Sequence, residues 1–136
     1  VPIMQKQKSG DIVFISSSAA REPSPNLLLS NVFRVGVVSF AKSLSLKLAS
    51  DNIRVNTVTP GYFDTGRVRR RIDEMMAQKG ISRQDAAREI AGDIPLGRIG
   101  TAEELAERVV FLVSRRADCL TGAAIQMAGG RSHGIF

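Results

Sequence analysis

Short unbroken apolar runs alternate along the chain with longer stretches whose apolar residues recur at helical spacing. Residues 2 to 8 read as the tail of a helix, with Ser9-Gly10 as its stop. Asp11 to Ser16 holds Ile-Val-Phe-Ile with no polar alternation, the pattern of a strand covered on both faces. A loop with Pro23 and Pro25 spans residues 19 to 26, and Asn26 stands where a cap for the next helix belongs. That helix runs from about Leu27 to Ala49. Leu29, Val32, Phe33, Gly36, Val37, Phe40, Leu44 and Leu48 form its apolar stripe, with Lys42, Ser45 and Lys47 mostly off it. Gly36 costs the helix about 1 kcal/mol relative to alanine, a cost that close packing would offset.

Ile53 to Thr59 is the next strand, and residues 62 to 98 contain none. Two short helices are predicted there, over 66 to 78 and 83 to 92. Ser82-Arg83-Gln84-Asp85 resembles a capping box with aspartate in place of the usual glutamate. Thr101-Ala102-Glu103-Glu104 is a fuller box and opens a helix to about Ser114. Ala123 to Met127 is a last short strand, set between Thr121-Gly122 and Gly129-Gly130. Strands alternating with helices give an α/β layer with parallel strands.

The length of 136 residues allows one domain and is too short for two. With 43% hydrophobic residues a real core is possible. The single cysteine, Cys119, excludes an internal disulfide and fits a reducing, cytoplasmic setting. No apolar run reaches the roughly 18 residues of a membrane span. The first residues lack both a signal-peptide core and an initiator Met, which reads as a fragment or a processed chain. Arg67, Arg69, Arg70 and Arg71 supply much of the net charge of +6. They read either as attractors of an anionic ligand or, more commonly, as the solvated face of a helix. The basic residues are not interleaved with aromatics, so nucleic acid is not an expected partner.

The motifs fall in a telling order. A strand ends in Ser16-Ser17; after the long helix comes Asn56-x-Val58-x-Pro60-Gly61-x-x-x-Thr65. After the helical insert come Pro95-x-Gly97-Arg98-x-Gly100-x-x-Glu103-Glu104-Leu105-Ala106, then Thr121-Gly122 and Gly129-Gly130. Together they resemble the C-terminal half of a short-chain dehydrogenase/reductase, with 3-oxoacyl reductases the most similar in wording. The resemblance covers essentially the whole chain. It implies a single partial domain over 1–136, the C-terminal half of a Rossmann-like doubly wound parallel sheet with about three strands. In it, residues 62–98 form a helical substrate lid. It also implies hydride transfer between NAD or NADP and a small carbonyl or alcohol substrate. Pro60, Gly61 and Thr65 would meet the cofactor, and Arg67 to Arg71 an anionic group on the substrate.

The family uses a serine to orient the substrate oxygen, a tyrosine as acid/base 13 residues later, and a lysine four beyond the tyrosine. Counting from Ser17 gives Ser30 and Arg34. Gly36 and Phe40-Ala41-Lys42-Ser43-Leu44 fix the register downstream. The catalytic candidates are therefore Ser17, Ser30 and Arg34, with Arg34 also available to a ribose hydroxyl or a phosphate. A serine hydroxyl is a far weaker acid than a phenol, and an arginine does not exchange protons near pH 7. Tyr62, the one tyrosine, offers a phenol from the neighbouring loop or simply packs in the lid. The lone His133 reads as an exposed residue, and Cys119 as a buried or inert one.

The family's glycine-rich cofactor turn does not occur in the sequence and would lie before Val1. Without its usual neighbour, the strand from Asp11 leaves an open edge. Either a companion N-terminal segment or a second copy is expected to cover it. A non-catalytic homologue that binds a ligand, or assembles through the long helix, is the competing function.

Overall fold

The computed structural model describes residues 1–134. Helix α1 (Pro2–Gln7) leads into strand β1 (Gly10–Ile15), and a short 3₁₀ turn over Ser18–Ala20 precedes helix α2 (Leu28–Leu48). Strand β2 (Ile53–Pro60) is followed by helices α3 (Gly66–Lys79), α4 (Arg83–Gly92) and α5 (Ala102–Leu112), then strand β3 (Ala124–Met127). The three strands are parallel in the order β1-β2-β3. The α/β class read from the alternation is therefore the architecture found.

The buried strand is β2, with Ile53, Val55 and Val58 fully enclosed. Strand β1, expected to be covered on both faces, is only half-buried, and among the described residues β2 is its single partner. The sheet core joins Ala41 and Leu48 of α2 to Ile53 and Val55, with Ile12, Phe14 and Leu44 packed around them. Asn56 is buried within β2; its Nδ2 donates to Leu120 O (2.8 Å) and its Oδ1 accepts from Ala123 N (3.1 Å). Those two bonds fasten the entry to β3.

Only the C-terminal end of the stripe expected to bury α2 does so, with Leu48 buried and Leu44 packed against the sheet core. Leu28, Leu29, Val32 and Phe33 are 69–75% exposed, and Phe40 is exposed as well. The face that packs is Ala41, Ser45 and Leu48, and Ser45 hides its hydroxyl by donating to Lys42 O (2.7 Å). A Cβ at Gly36 would meet nothing within 4 Å, so no close packing within the chain explains that glycine. Asn26 is not the cap of α2. Leu27 holds that position without a side-chain bond, while the Asn31 side chain binds the backbone of Ser24 on both sides. The stop of α1 also falls earlier than Ser9-Gly10, at Lys8 in the left-handed region, and Gly10 opens β1 instead.

Both capping signals form. Thr101 and Glu104 make a reciprocal box. Ser82 Oγ accepts from Asp85 N (3.1 Å), but the aspartate is one carbon too short and turns to the Ser82 hydroxyl rather than the backbone. Helices α3 and α4 pack on each other through Val68, Ile72, Ala86 and Ile90, a cluster apart from the sheet core. The insert begins and ends at one point. Gly100 N donates to Tyr62 O (3.0 Å) and Asp64 N to Gly100 O (2.8 Å). The approach is so close that a Cβ at Gly100 would stand 2.7 Å from the Phe63 ring. Among the described residues no helix is long and apolar enough to cross a membrane.

Candidate active site at the carboxyl rim of the sheet

Parallel pairing brings the carboxyl ends of β1 and β2 to the same rim. Ile15 pairs with Val58, and Ser16 N donates to Val58 O (2.9 Å). Neighbouring strands lie about 4.8 Å apart, so the chain leaves the sheet at Ser17 beside its exit at Pro60. Ser17 starts the 3₁₀ turn, and its Oγ accepts from Ala19 N (3.2 Å). The hydroxyl thus satisfies a loop amide and still carries a proton to donate.

Helix α2 is clasped to that strand end in both directions. Ser16 Oγ donates to Arg34 O (3.1 Å), and Arg34 Nη1 donates to Ser16 O (3.3 Å) and more weakly to Ile15 O (3.5 Å). Arg34 therefore lies at the rim next to Ser17, with part of its donor fork given to main-chain carbonyls. Ser30 stands four residues earlier and so on the same side of the helix. It is half-buried, and among the described residues no hydrogen bond joins it to Ser17 or Arg34.

At the exit of β2, Pro60 pairs with Met127, and Gly61 N donates to Met127 O (2.8 Å). A Cβ on Gly61 would come within 3.1 Å of Ala128, so the fold itself asks for glycine here. Thr65 precedes α3 at its cap position, yet its exposed side chain makes no capping bond. Tyr62 packs against the helical insert: it borders the α3–α4 cluster, and its hydroxyl accepts from Arg71 Nη1 (2.9 Å).

A cavity of about 210 Å³ opens next to the rim, lined by Tyr62, Phe63, Ile94, Leu96, Met127 and Arg98 among others. Glu104 in its wall is held by both Arg98 forks (2.9 and 2.5 Å) and by Thr101 N (2.8 Å). The Arg98 hydrogen bonds, then the backbone one, lower its pKa to about 2, so it stays ionised and neutralised. Sequence reasoning missed this cavity and the part of Arg131, whose guanidinium carbon lies 5.0 Å from the Tyr62 ring centre. Position after Gly129-Gly130 was the one available signal, and it does not specify a contact 69 residues away. His133 is exposed, with its backbone N–H bonded to Glu22, whereas Cys119, read as buried or inert, is exposed as well.

Comparisons with known proteins bear on the family and the fold. A family model described as enoyl-(acyl carrier protein) reductase matches residues 1–132. The NADPH-dependent reductase BacG of Bacillus subtilis is 33% identical over 98% of this chain and 51% of its own length. The 3-oxoacyl-[acyl-carrier-protein] reductase FabG of Thermotoga maritima is 35% identical over 96% of this chain and 48% of its own. The chain thus spans about half the length of the curated relatives it matches. Among solved structures, L-sorbose reductase from Gluconobacter frateurii, complexed with NADPH and L-sorbose, superposes with a TM-score of 0.91 at 30% identity. The match covers 98% of this chain and 51% of that one. Sheet order, motif order and these matches all point one way: the chain belongs to the short-chain dehydrogenase/reductase family.

Proposed function

We propose that this chain carries the substrate-side half of an oxidoreductase that moves a hydride between NAD or NADP and a carbonyl or alcohol carbon. The clasp between Ser16 and Arg34 supports this most, because it holds the Ser30–Arg34 turn of α2 against the strand end that bears Ser17. In this reading the Ser17 hydroxyl donates to the substrate oxygen and orients it. Ser30 occupies the acid/base position, and Arg34 contributes a fixed positive charge for the oxygen or for a ribose hydroxyl. Pro60, Gly61 and Thr65 would hold the nicotinamide end of the cofactor; the Thr65 hydroxyl is uncommitted, and Gly61 presents bare backbone. The cofactor, when bound, supplies or accepts the hydride. The helical pair of residues 62–98 acts as the lid, and the reading includes a cytoplasmic location.

The test is NAD(P)H oxidation over a panel of ketones and 3-oxoacyl thioesters, with Ser17→Ala beside the parent protein. Loss of one substrate hydrogen bond is expected to lower kcat/KM about 10-fold. Equal rates would remove Ser17 from the site.

A second reading is a non-catalytic homologue that binds ligand in the same crevice. It is favoured by Ser30, which has no basic partner, and by Arg34, whose fork is partly spent on carbonyls. Cofactor binding without turnover on any substrate would select it.

Self-association belongs to either reading. The exposed Leu28, Leu29, Val32 and Phe33 make a wide apolar face on α2, and β1 has one free edge. Light scattering after size exclusion is expected to find a dimer or larger species. Val32→Asp with Phe33→Asp should convert it to monomer with an unchanged circular dichroism spectrum. A parent protein already monomeric at high concentration would remove this surface from consideration.

A further inference from the structure

The first turns of α3 break a local rule. Positive side chains there oppose the partial positive charge of a helix N-terminus, yet Arg67, Arg69, Arg70 and Arg71 stand in them with no acid in the first turn. Arg67 and Arg71, four apart, share a face and repel. Of the four arginines, Arg69 pairs with Asp64, and further along the insert Lys79 pairs with Glu89, Arg83 with Asp73 and Arg88 with Asp85. A solvated face explains those. Among the described residues Arg67, Arg70 and Arg71 have no carboxylate partner, and rule-breaking without local compensation is characteristic of functional positions.

Arg71 is nonetheless held in place. Its Nη1 donates to the Tyr62 hydroxyl (2.9 Å), and its guanidinium carbon lies 5.4 Å from the ring centre. From the turn after β3, Arg131 brings a second guanidinium to the same ring at 5.0 Å, also without a carboxylate among the described residues. Ring faces attract cations weakly, and two like charges on one neutral ring repel each other. An anion within reach of both would relieve that repulsion. Tyr62 also lines the cavity of about 210 Å³, together with Ile94, Leu96 and Met127. The carboxylate in that wall, Glu104, is already neutralised by Arg98.

We infer that Arg71 and Arg131 bind a carboxylate of the substrate, with the Tyr62 hydroxyl fixing the Arg71 fork, the Tyr62 ring beside Arg131, and the adjoining cavity receiving the apolar body. The substrate class is then a small apolar oxo or hydroxy acid. The inference rests on the oxidoreductase reading, in that its ligand is the molecule reduced or oxidised. Arginine suits the task because its fork matches a carboxylate with two parallel hydrogen bonds.

The test needs no turnover. Binding of cyclohexanecarboxylate and of cyclohexanecarboxamide to the protein is measured by titration calorimetry. The acid is expected to bind about 10-fold more tightly, as charge-assisted bonds require. Arg71→Gln and Arg131→Gln should each remove most of that preference. Arg70→Gln, which deletes the same charge one residue away from the Tyr62 contact, should leave it intact. Equal affinities, undetectable binding of the acid, or an equal effect of Arg70→Gln would each overturn the inference. Acid preference with no hydride transfer to any carbonyl would remove the oxidoreductase reading alone. Ketone turnover without acid preference would remove this inference alone.

Discussion

Tyrosine in place of Ser30 is expected to raise kcat by about 10²- to 10⁴-fold, the usual worth of a positioned general acid/base. The gain follows from the proton. A phenol titrates near pH 10 and falls toward neutrality beside a cation, whereas a serine hydroxyl remains protonated throughout. The cation is in place: Arg34 sits one turn on, with its guanidinium at the carbonyls of Ile15 and Ser16. Nothing is broken by the change, because Ser30 is half-buried and makes no hydrogen bond to Ser17 or Arg34 among the described residues. Ser30→Phe is the control, since it fills the same volume without a hydroxyl. The tyrosine variant should also acquire an alkaline limb in its pH–rate profile that the phenylalanine variant lacks. Equal rates in the two would mean that position 30 does not face the reacting oxygen.

The placement of Ser17 and Arg34 was legible because it depends on two short-range periods, a strand end and a helical turn. Both survive in any fold that pairs β1 with β2. What covers each face was not legible. Periodicity marked Leu29, Val32 and Phe33 as one side of α2, but they lie exposed while Ala41 and Ser45 make the contact. An apolar stripe tells which side of a helix avoids water without naming what covers it.

Motif wording had a similar limit. Asn56 and Gly61 read as family signatures, yet the structure gives both a structural task, one binding Leu120 and Ala123, the other passing Ala128 closely. The Tyr62–Arg71–Arg131 cluster needs the end of β2, the start of α3 and the turn after β3 to meet. No local pattern encodes such a meeting. The arginine run was visible in the sequence; which of them reaches the Tyr62 ring was not.

Arg54→Met is expected to destabilise the fold by about 3 to 5 kcal/mol, the range for breaking a buried ion pair on one side. One guanidinium ties three elements here. Its Nη2 lies 2.7 Å from Asp11 Oδ1 across the β1–β2 register, and donates to Ser114 O (3.2 Å); Nη1 donates to Ala117 O in the turn after α5. Methionine fills the space but leaves two carbonyls without this donor and the carboxylate without its counter-charge. Asp11 Oδ1 has no aligned hydrogen-bond donor, so the Arg54 charge is what compensates it, and the arginine side chain is only 12% exposed. Water reaches Asp11 more readily, at 27% exposure, which draws the cost toward the lower end. Pairing Arg54→Met with Asp11→Leu removes the stranded charge, so the double variant should be more stable than Arg54→Met alone. Urea denaturation of the four proteins in this cycle measures both quantities. A loss below about 1 kcal/mol for Arg54→Met would be the size of an exposed pair. It would mean that the β1–β2 register rests on its apolar contacts alone.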